Sequence, residues 1–231
     1  MTLDQIISHL GTALDDNVVP YLWSNEELTE YYNQSVNEWC RFTDANVDDT
    51  TEAVCKITVT AGTQSYALHA AILKVLSARL SGERTFLEKQ VTHYMDAMYG
   101  VALATADRST PLYYTLDKRM GYISLYPNPA ASGIVYLTVS RLPITELSYV
   151  TPSLPATPGT GGSPDIPPRY HRDLIAGVLY RAYMKNDADT ESMARAKKFE
   201  SEWNKNLDKG MMENGLYNYR PTAVVPGYAF L

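Results

Sequence analysis

The stretch Asp165–Leu207, DIPPRYHRDLIAGVLYRAYMKNDADTESMARAKKFESEWNKNL, reads as two amphipathic helices joined by a short acidic break. In the first, Tyr170, Leu174, Ile175, Val178, Leu179, Ala182 and Tyr183 recur at three- and four-residue steps, which places them on one helix face. Pro167 and Pro168 stand where a helix can begin, because the first turn leaves its N–H groups without partners in any case. The break NDADTES is rich in N-cap residues, and Asp189 or Thr190 starts the second helix. Met193, Ala196, Phe199, Trp203 and Leu207 mark its apolar stripe. The spacing predicts helices over 168–186 and 190–209, an antiparallel pair that needs a further apolar partner.

The N-terminal residues supply that partner. Thr2-Leu3-Asp4-Gln5 and Ser24-Asn25-Glu26-Glu27 both follow the capping-box pattern and predict helices over 2–15 and 24–43. Trp23 is placed to staple onto Leu28. Leu28, Tyr32 and Trp39 from the second of these helices, with Leu174, Val178, Tyr183, Phe199 and Trp203 from the C-terminal pair, form the expected bundle core.

Between the two helical ends, residues 53–141 read as a β lobe. Val54 to Val59 and Tyr66 to Leu68 flank Ala61-Gly62-Thr63, a candidate hairpin turn. Ile72 to Leu80 fits helix or strand, because Ala and Leu mix with Val and Ile, and strand is favoured since Ser81-Gly82-Glu83-Arg84 turns into a short strand at 85–88. Thr92 to Tyr99 forms a short helix stopped by Gly100. Tyr113–Leu116, Tyr122–Tyr126 and Ile134–Ser140 are three further strands, and the middle one alternates so that one face packs while the other meets solvent or a neighbour. The fold class is α+β: a bundle of N- and C-terminal helices with an inserted antiparallel β lobe, one domain over 1–210.

Two segments stand apart. Residues 145–164 are dominated by Pro, Gly, Ser and Thr and form an exposed arm, with Tyr149 and Leu154 as its contact residues. Residues 211–231 read as an extended C-terminal tail that is either simply mobile or docks on a partner through Tyr217, Tyr219, Tyr228, Phe230 and Leu231.

Composition narrows the function. The chain has 231 residues, a formal charge of −6 and pI near 5.2, which argues against gripping nucleic-acid phosphates. No basic n-region or long apolar run marks a signal peptide or a membrane span, and Cys40 and Cys55 are expected as reduced, buried thiols, on a helix and a strand respectively. His9, His69, His93 and His171 lack metal-ligand spacing, with His9 and His171 expected on helix surfaces. His93 has Asp96 three residues on, a spacing too common to indicate catalysis. The carboxylate runs Asp15-Asp16, Asp48-Asp49 and Asp187–Asp189 read as solvated loops and caps, and DADTE lacks the glycine of a calcium loop. Arg195, Lys197 and Lys198 read as a solvated helix face. No phosphate loop, nucleophile elbow or dinucleotide fingerprint is present, so no catalytic, metal or cofactor site is expected and the chain is not expected to be an enzyme.

Four pieces in order resemble the head-to-tail connector or adaptor proteins of tailed bacteriophages. They are LWSNEELTEYYNQSVNEW at 22–39, TVTAGTQSYALHAAILKVLSAR at 58–79, GYISLYPNPAASGIVYLTVSRLP at 121–143, and IPPRYHRDLIAGVLYRAYMKNDAD at 166–189 with ARAKKFESEW downstream. The last is the most specific. His69-Ala70, where the family's hairpin runs into Leu-Pro, the Pro/Gly insert at 151–164 and the aromatic tail depart from the pattern. The resemblance implies a virion protein of the neck, assembled in the host cytoplasm, that forms a twelve-copy ring beneath the portal. It implies contact with the portal and with a downstream tail or nozzle protein, and passage of genomic DNA without specific binding during packaging retention and ejection. The competing reading is a ligand- or carbohydrate-binding module of a phage tail that stacks its ligand on Tyr113, Tyr114, Tyr122 and Tyr126.

Overall fold

The computed structural model describes residues 1–16, 21–99, 108–149, 162–185 and 192–218. Both capping boxes close, each through a side-chain oxygen that accepts from the third helical N–H and a side chain that reaches back to the cap N–H. Helices α1 (Leu3–Leu14) and α2 (Asn25–Thr43) therefore begin where local chemistry says they should. Each ends on an aspartate in the left-handed region, Asp15 with φ 58° and Asp44 with φ 51°. Asp16 then accepts hydrogen bonds from the Leu22 and Trp23 N–H groups and aims Trp23 inward, where its Nε1 donates to the Ala182 carbonyl at 3.2 Å.

The segment around Asp48-Asp49, expected as a solvated loop, carries β1 (Val47–Asp48) and leads into a single helical turn, α3 (Glu52–Cys55). Cys55 thus closes a helix instead of lying in a strand. The lobe continues through β2 (Lys56–Val59), β3 (Ser65–Ala67), β4 (Ile72–Leu80), β5 (Glu88–Lys89), α4 (Thr92–Tyr99), β6 (Arg108–Ser109), β7 (Tyr113–Thr115), β8 (Tyr122–Tyr126), β9 (Asn128–Pro129) and β10 (Gly133–Arg141).

Two sheets result. In the first, β10 is central, with β4 on one side and β1 and β2 along the other, all antiparallel. The second runs β3-β8-β7-β5, antiparallel except for the short parallel pair β5–β7, and β6 and β9 make a separate parallel pair. The segment around Gly62 is consequently not a hairpin: β2 pairs with β10, β3 pairs with β8, and the turn carries the chain from one sheet to the other. Val75, Val135, Leu137 and Val139 of the first sheet share a core with Tyr114, Ile123 and Leu125 of the second. Strand β8 is buried on both faces, because Ser124 pairs with Ser65 at 2.7 Å and the Tyr126 hydroxyl donates to Asp96 of α4 at 2.8 Å.

Pro168–Tyr170 forms a 3-10 turn that leads into α5 (Ile175–Tyr183), and α6 runs from Met193 to Asn218. The two helices are antiparallel: Tyr183 stacks on Phe199 at 5.8 Å, and the Asp173 carbonyl accepts from Asn206 Nδ2 at 3.0 Å. Leu28, Tyr32, Trp39, Leu174, Val178, Tyr183 and Trp203 lie in one buried cluster, with Phe199 packed half-buried against it. Met193, expected on the stripe, is instead 49% exposed. Helix α6 also passes through Gly210 and makes the first part of the expected tail, through Asn218, helical. The missing side chain is the reason, since a Cβ on Gly210 would lie 2.6 Å from the Trp39 ring.

Candidate assembly surfaces

The junction between lobe and bundle is ionic. Arg141, at the end of β10, donates from Nε to Asp48 at 2.6 Å and from Nη1 and Nη2 to the two carboxylate oxygens of Asp165 at 2.6 and 3.0 Å. Arg141 and Asp48 are both buried. Asp48 is therefore a structural anchor and not the solvated loop residue that its sequence setting suggests. Burial pushes its carboxyl up, but hydrogen bonds from Thr51, Thr50 and Arg141 outweigh that effect and hold it far below the usual carboxylate range. Asp165 behaves the same way: burial is outweighed by Arg141 and by the Ile144 N–H. A charged hub in this position fixes β1, β10 and the entry to the C-terminal pair against one another.

A separate set of hydrogen bonds holds the roots of the arm. Asn33 of α2 donates to the Leu147 carbonyl at 2.8 Å and accepts from the Leu147 N–H at 3.1 Å. On the returning side the Gly162 carbonyl accepts from the Leu3 N–H at 3.1 Å. A Cβ on Gly162 would sit 3.5 Å from Leu147 Cδ2, so the two roots touch. The arm thus leaves and re-enters at one place, between the start of α1 and α2. Tyr149 is half-buried just beyond the first root, whereas Leu154 lies outside the described residues.

His171, expected on a helix surface, is buried instead. Its Nε2 faces the Ile166 carbonyl at 3.1 Å and can only donate there, which leaves Nδ1 to accept from the Met1 amine at 2.8 Å. Burial lowers the pKa of the ring. Both thiols are free and buried; burial pushes Cys40 up to about 12 and Cys55 up to about 11.

Among the described residues, the chemistry-bearing side chains do not converge. His9 and His93 are exposed, and Asp96 bonds to Tyr126 and not to His93. Among the described residues no three His, Cys, Asp or Glu side chains are grouped to hold a metal ion, and no helix is long and apolar enough to cross a membrane. The aromatic platform also fails to form: Tyr114 and Tyr126 are buried, and Tyr113 and Tyr122 are half-buried. Of the tail residues, Tyr217 lies in α6, while Tyr219, Tyr228, Phe230 and Leu231 fall outside the described residues. Arg195 lies on the solvent side of α6 and donates to the Tyr183 hydroxyl at 3.2 Å.

Sequence reasoning missed Arg141, Asp48 and Asp165. A partial signal was present: Asp48-x-Thr50-Thr51 is an Asx-turn pattern, and Arg141 is the one charge in Gly133–Arg141. A family model described as SU10 adaptor protein matches residues 1–225. No curated protein matches the chain.

Proposed function

From the premise that the chain belongs to the SU10 adaptor protein family, we propose that it is a non-enzymatic building block of the phage neck. Twelve copies form a ring beneath the portal and hand the head on to a downstream tail or nozzle protein. The match over residues 1–225 carries this reading, because it takes in the bundle, the lobe, the arm and most of the tail together. Assembly takes place in the host cytoplasm, and the ring then resides in the virion.

The physical properties of the chain agree with such a role. A closed ring is built from heterologous contacts, one face of a subunit against a different face of the next. The arm, with Tyr149 and Leu154, serves one neighbour contact. The tail residues Tyr217, Tyr219, Tyr228, Phe230 and Leu231 serve another. Genomic DNA passes through the lumen without specific binding, since subunits of formal charge −6 give its phosphates little to hold.

Native mass of the purified chain, alone and mixed with the portal of the same genome, tests the reading. A monomer alone and twelve copies on the portal are expected; a chain that stays monomeric in the presence of portal would refute it. Limited proteolysis then tests the two contact segments. Cleavage in 150–161 and 219–231 should be slower on the ring than in the free chain, and equal rates in both states would remove them from the interface.

A further inference from the structure

Among the described residues, the outer edge of β4 is one of the sheet edges left open. β4 pairs with β10 along its length, and on the other side only Ala78 is bridged, to Leu87. Among the described residues no strand pairs with residues 72–77 on that side. An open edge is a template for another chain, and proteins ordinarily cover or charge it. The single charge in this stretch, Lys74, is engaged by Asp44. Beside the edge, between β4 and the end of the β7–β8 hairpin, lies an open groove of about 870 Å³. Leu68, Leu73, Leu76, Leu116, Met120 and Tyr122 line it. Leu76 is 42% exposed and Met120 98%, so the groove presents apolar surface that none of the described residues covers.

Helix α6 delivers the C-terminal residues to this side of the molecule. Asn214 Nδ2 donates to the Thr43 carbonyl at 2.8 Å, and the next residue, Asp44, is the one that holds Lys74 of β4. Residues 219–231, YRPTAVVPGYAFL, then offer Val224, Val225, Tyr228, Phe230 and Leu231 with a single arginine and no acidic residue. Fully extended they reach roughly 43 Å, whereas a strand of about six residues takes about 20 Å. That leaves enough chain to cross to an adjacent subunit. Proline is tolerated in an added edge strand when its nitrogen faces solvent.

We propose that residues 221–231 of one subunit add as a strand along the open edge of β4 of the next, with their apolar side chains in the groove. The inference rests on the ring reading above and names the surface that its tail engages. Main-chain hydrogen bonds supply the affinity and the groove supplies the register, as in other strand additions. Each subunit donates one tail and accepts one, a heterologous contact that a closed ring satisfies throughout, with every β4 edge covered.

The test uses full-length protein assembled on the portal, with portal cysteines blocked, from an equal mixture of Leu76→Cys and Tyr228→Cys chains. The native Cys40 and Cys55 are buried. Oxidation is expected to give a disulfide-linked pair containing one chain of each kind, absent when either variant assembles alone. In the double variant, a link confined to one chain would overturn the inference, as would a ring that forms without any interchain link. Absence of a ring by native mass would overturn the ring reading itself, so the two failures are distinguishable. A chain ending at Asn218 keeps every described residue; its rings should fall apart at a protein concentration at least about tenfold higher than intact rings, about 1.4 kcal/mol. Equal persistence would count against the tail contact.

Discussion

Arg141 holds both carboxylate oxygens of Asp165, at 2.6 and 3.0 Å, and so ties the strand that ends the lobe to the residue that opens the C-terminal helix pair. Its remaining nitrogen on that side, Nε, holds Asp48 at 2.6 Å, with both partners almost wholly buried. The cation thus neutralises two carboxylates from segments far apart in the chain.

Replacing Arg141 by methionine keeps the apolar stem but removes the guanidinium, and leaves the buried Asp48 carboxylate without its cation. The expected loss is about 3 kcal/mol of unfolding free energy, the scale seen when one member of a buried pair is removed. Asp165→Asn should cost about 1 kcal/mol, since the Asp165 side chain is 35% exposed and solvent screens its share. Urea denaturation of the three proteins measures both. If Arg141→Met were as stable as Asp165→Asn, the hub would not carry the junction.

His171 makes stability depend on pH with a defined sign. Burial depresses its folded pKa below the ordinary 6.5, so the unfolded chain binds the extra proton more readily. The contribution is fully present above about pH 6.5 and is lost as the pH falls towards the folded value. The urea midpoint should therefore drop between about pH 7.5 and about pH 5.5, and His171→Gln should flatten that drop. An unchanged wild-type midpoint over this range would mean that the ring is not buried as a neutral group.

The two thiols should be silent in the native protein. Burial raises Cys40 to about 12 and Cys55 to about 11, so almost no thiolate exists near neutrality. A disulfide reagent such as Ellman's is expected to titrate neither thiol in the folded chain and both after denaturation. Fast native labelling of either thiol would show that the bundle or the lobe opens on the labelling timescale.

Features set within one helical turn were legible in the sequence, and features set by distant pairing were not. Thr2–Gln5 and Ser24–Glu27 cap their own helices, and the stripe from Tyr170 to Tyr183 needs only helical periodicity, so both could be read directly. The segment around Gly62 has the composition of a hairpin turn, but its role is decided by β10 and β8, which lie far along the chain. Asp48 sits in a run that looks solvated, and only Arg141, 93 residues on, makes it structural. His171, expected on a helix surface, follows the 3-10 turn Pro168–Tyr170 and is buried against the Ile166 carbonyl and the Met1 amine. Gly210 is set by distant packing too. Glycine near the end of a helical pattern signals a stop, and here it marks a close contact instead.

That contact gives the last expectation. Glycine inside a helix ordinarily destabilises by about 1 kcal/mol relative to alanine. On propensity alone, Gly210→Ala should therefore stabilise α6. The structure predicts the opposite sign: a Cβ at 210 would meet Trp39 at 2.6 and 2.9 Å and Thr43 at 2.9 Å. Trp39 is buried against Tyr170 and Trp203 and has little room to retreat. Overpacking of this kind costs about 1–3 kcal/mol, enough to outweigh the propensity gain. Gly215, in the same helix, has no atom of the described residues within 4 Å of its would-be Cβ beyond its own stretch of helix, so Gly215→Ala should gain up to about 1 kcal/mol. Thermal melts of the two variants beside the wild type should therefore move in opposite directions. If both rise, α6 does not pack on Trp39 through Gly210, and the helix leaves the bundle earlier than described.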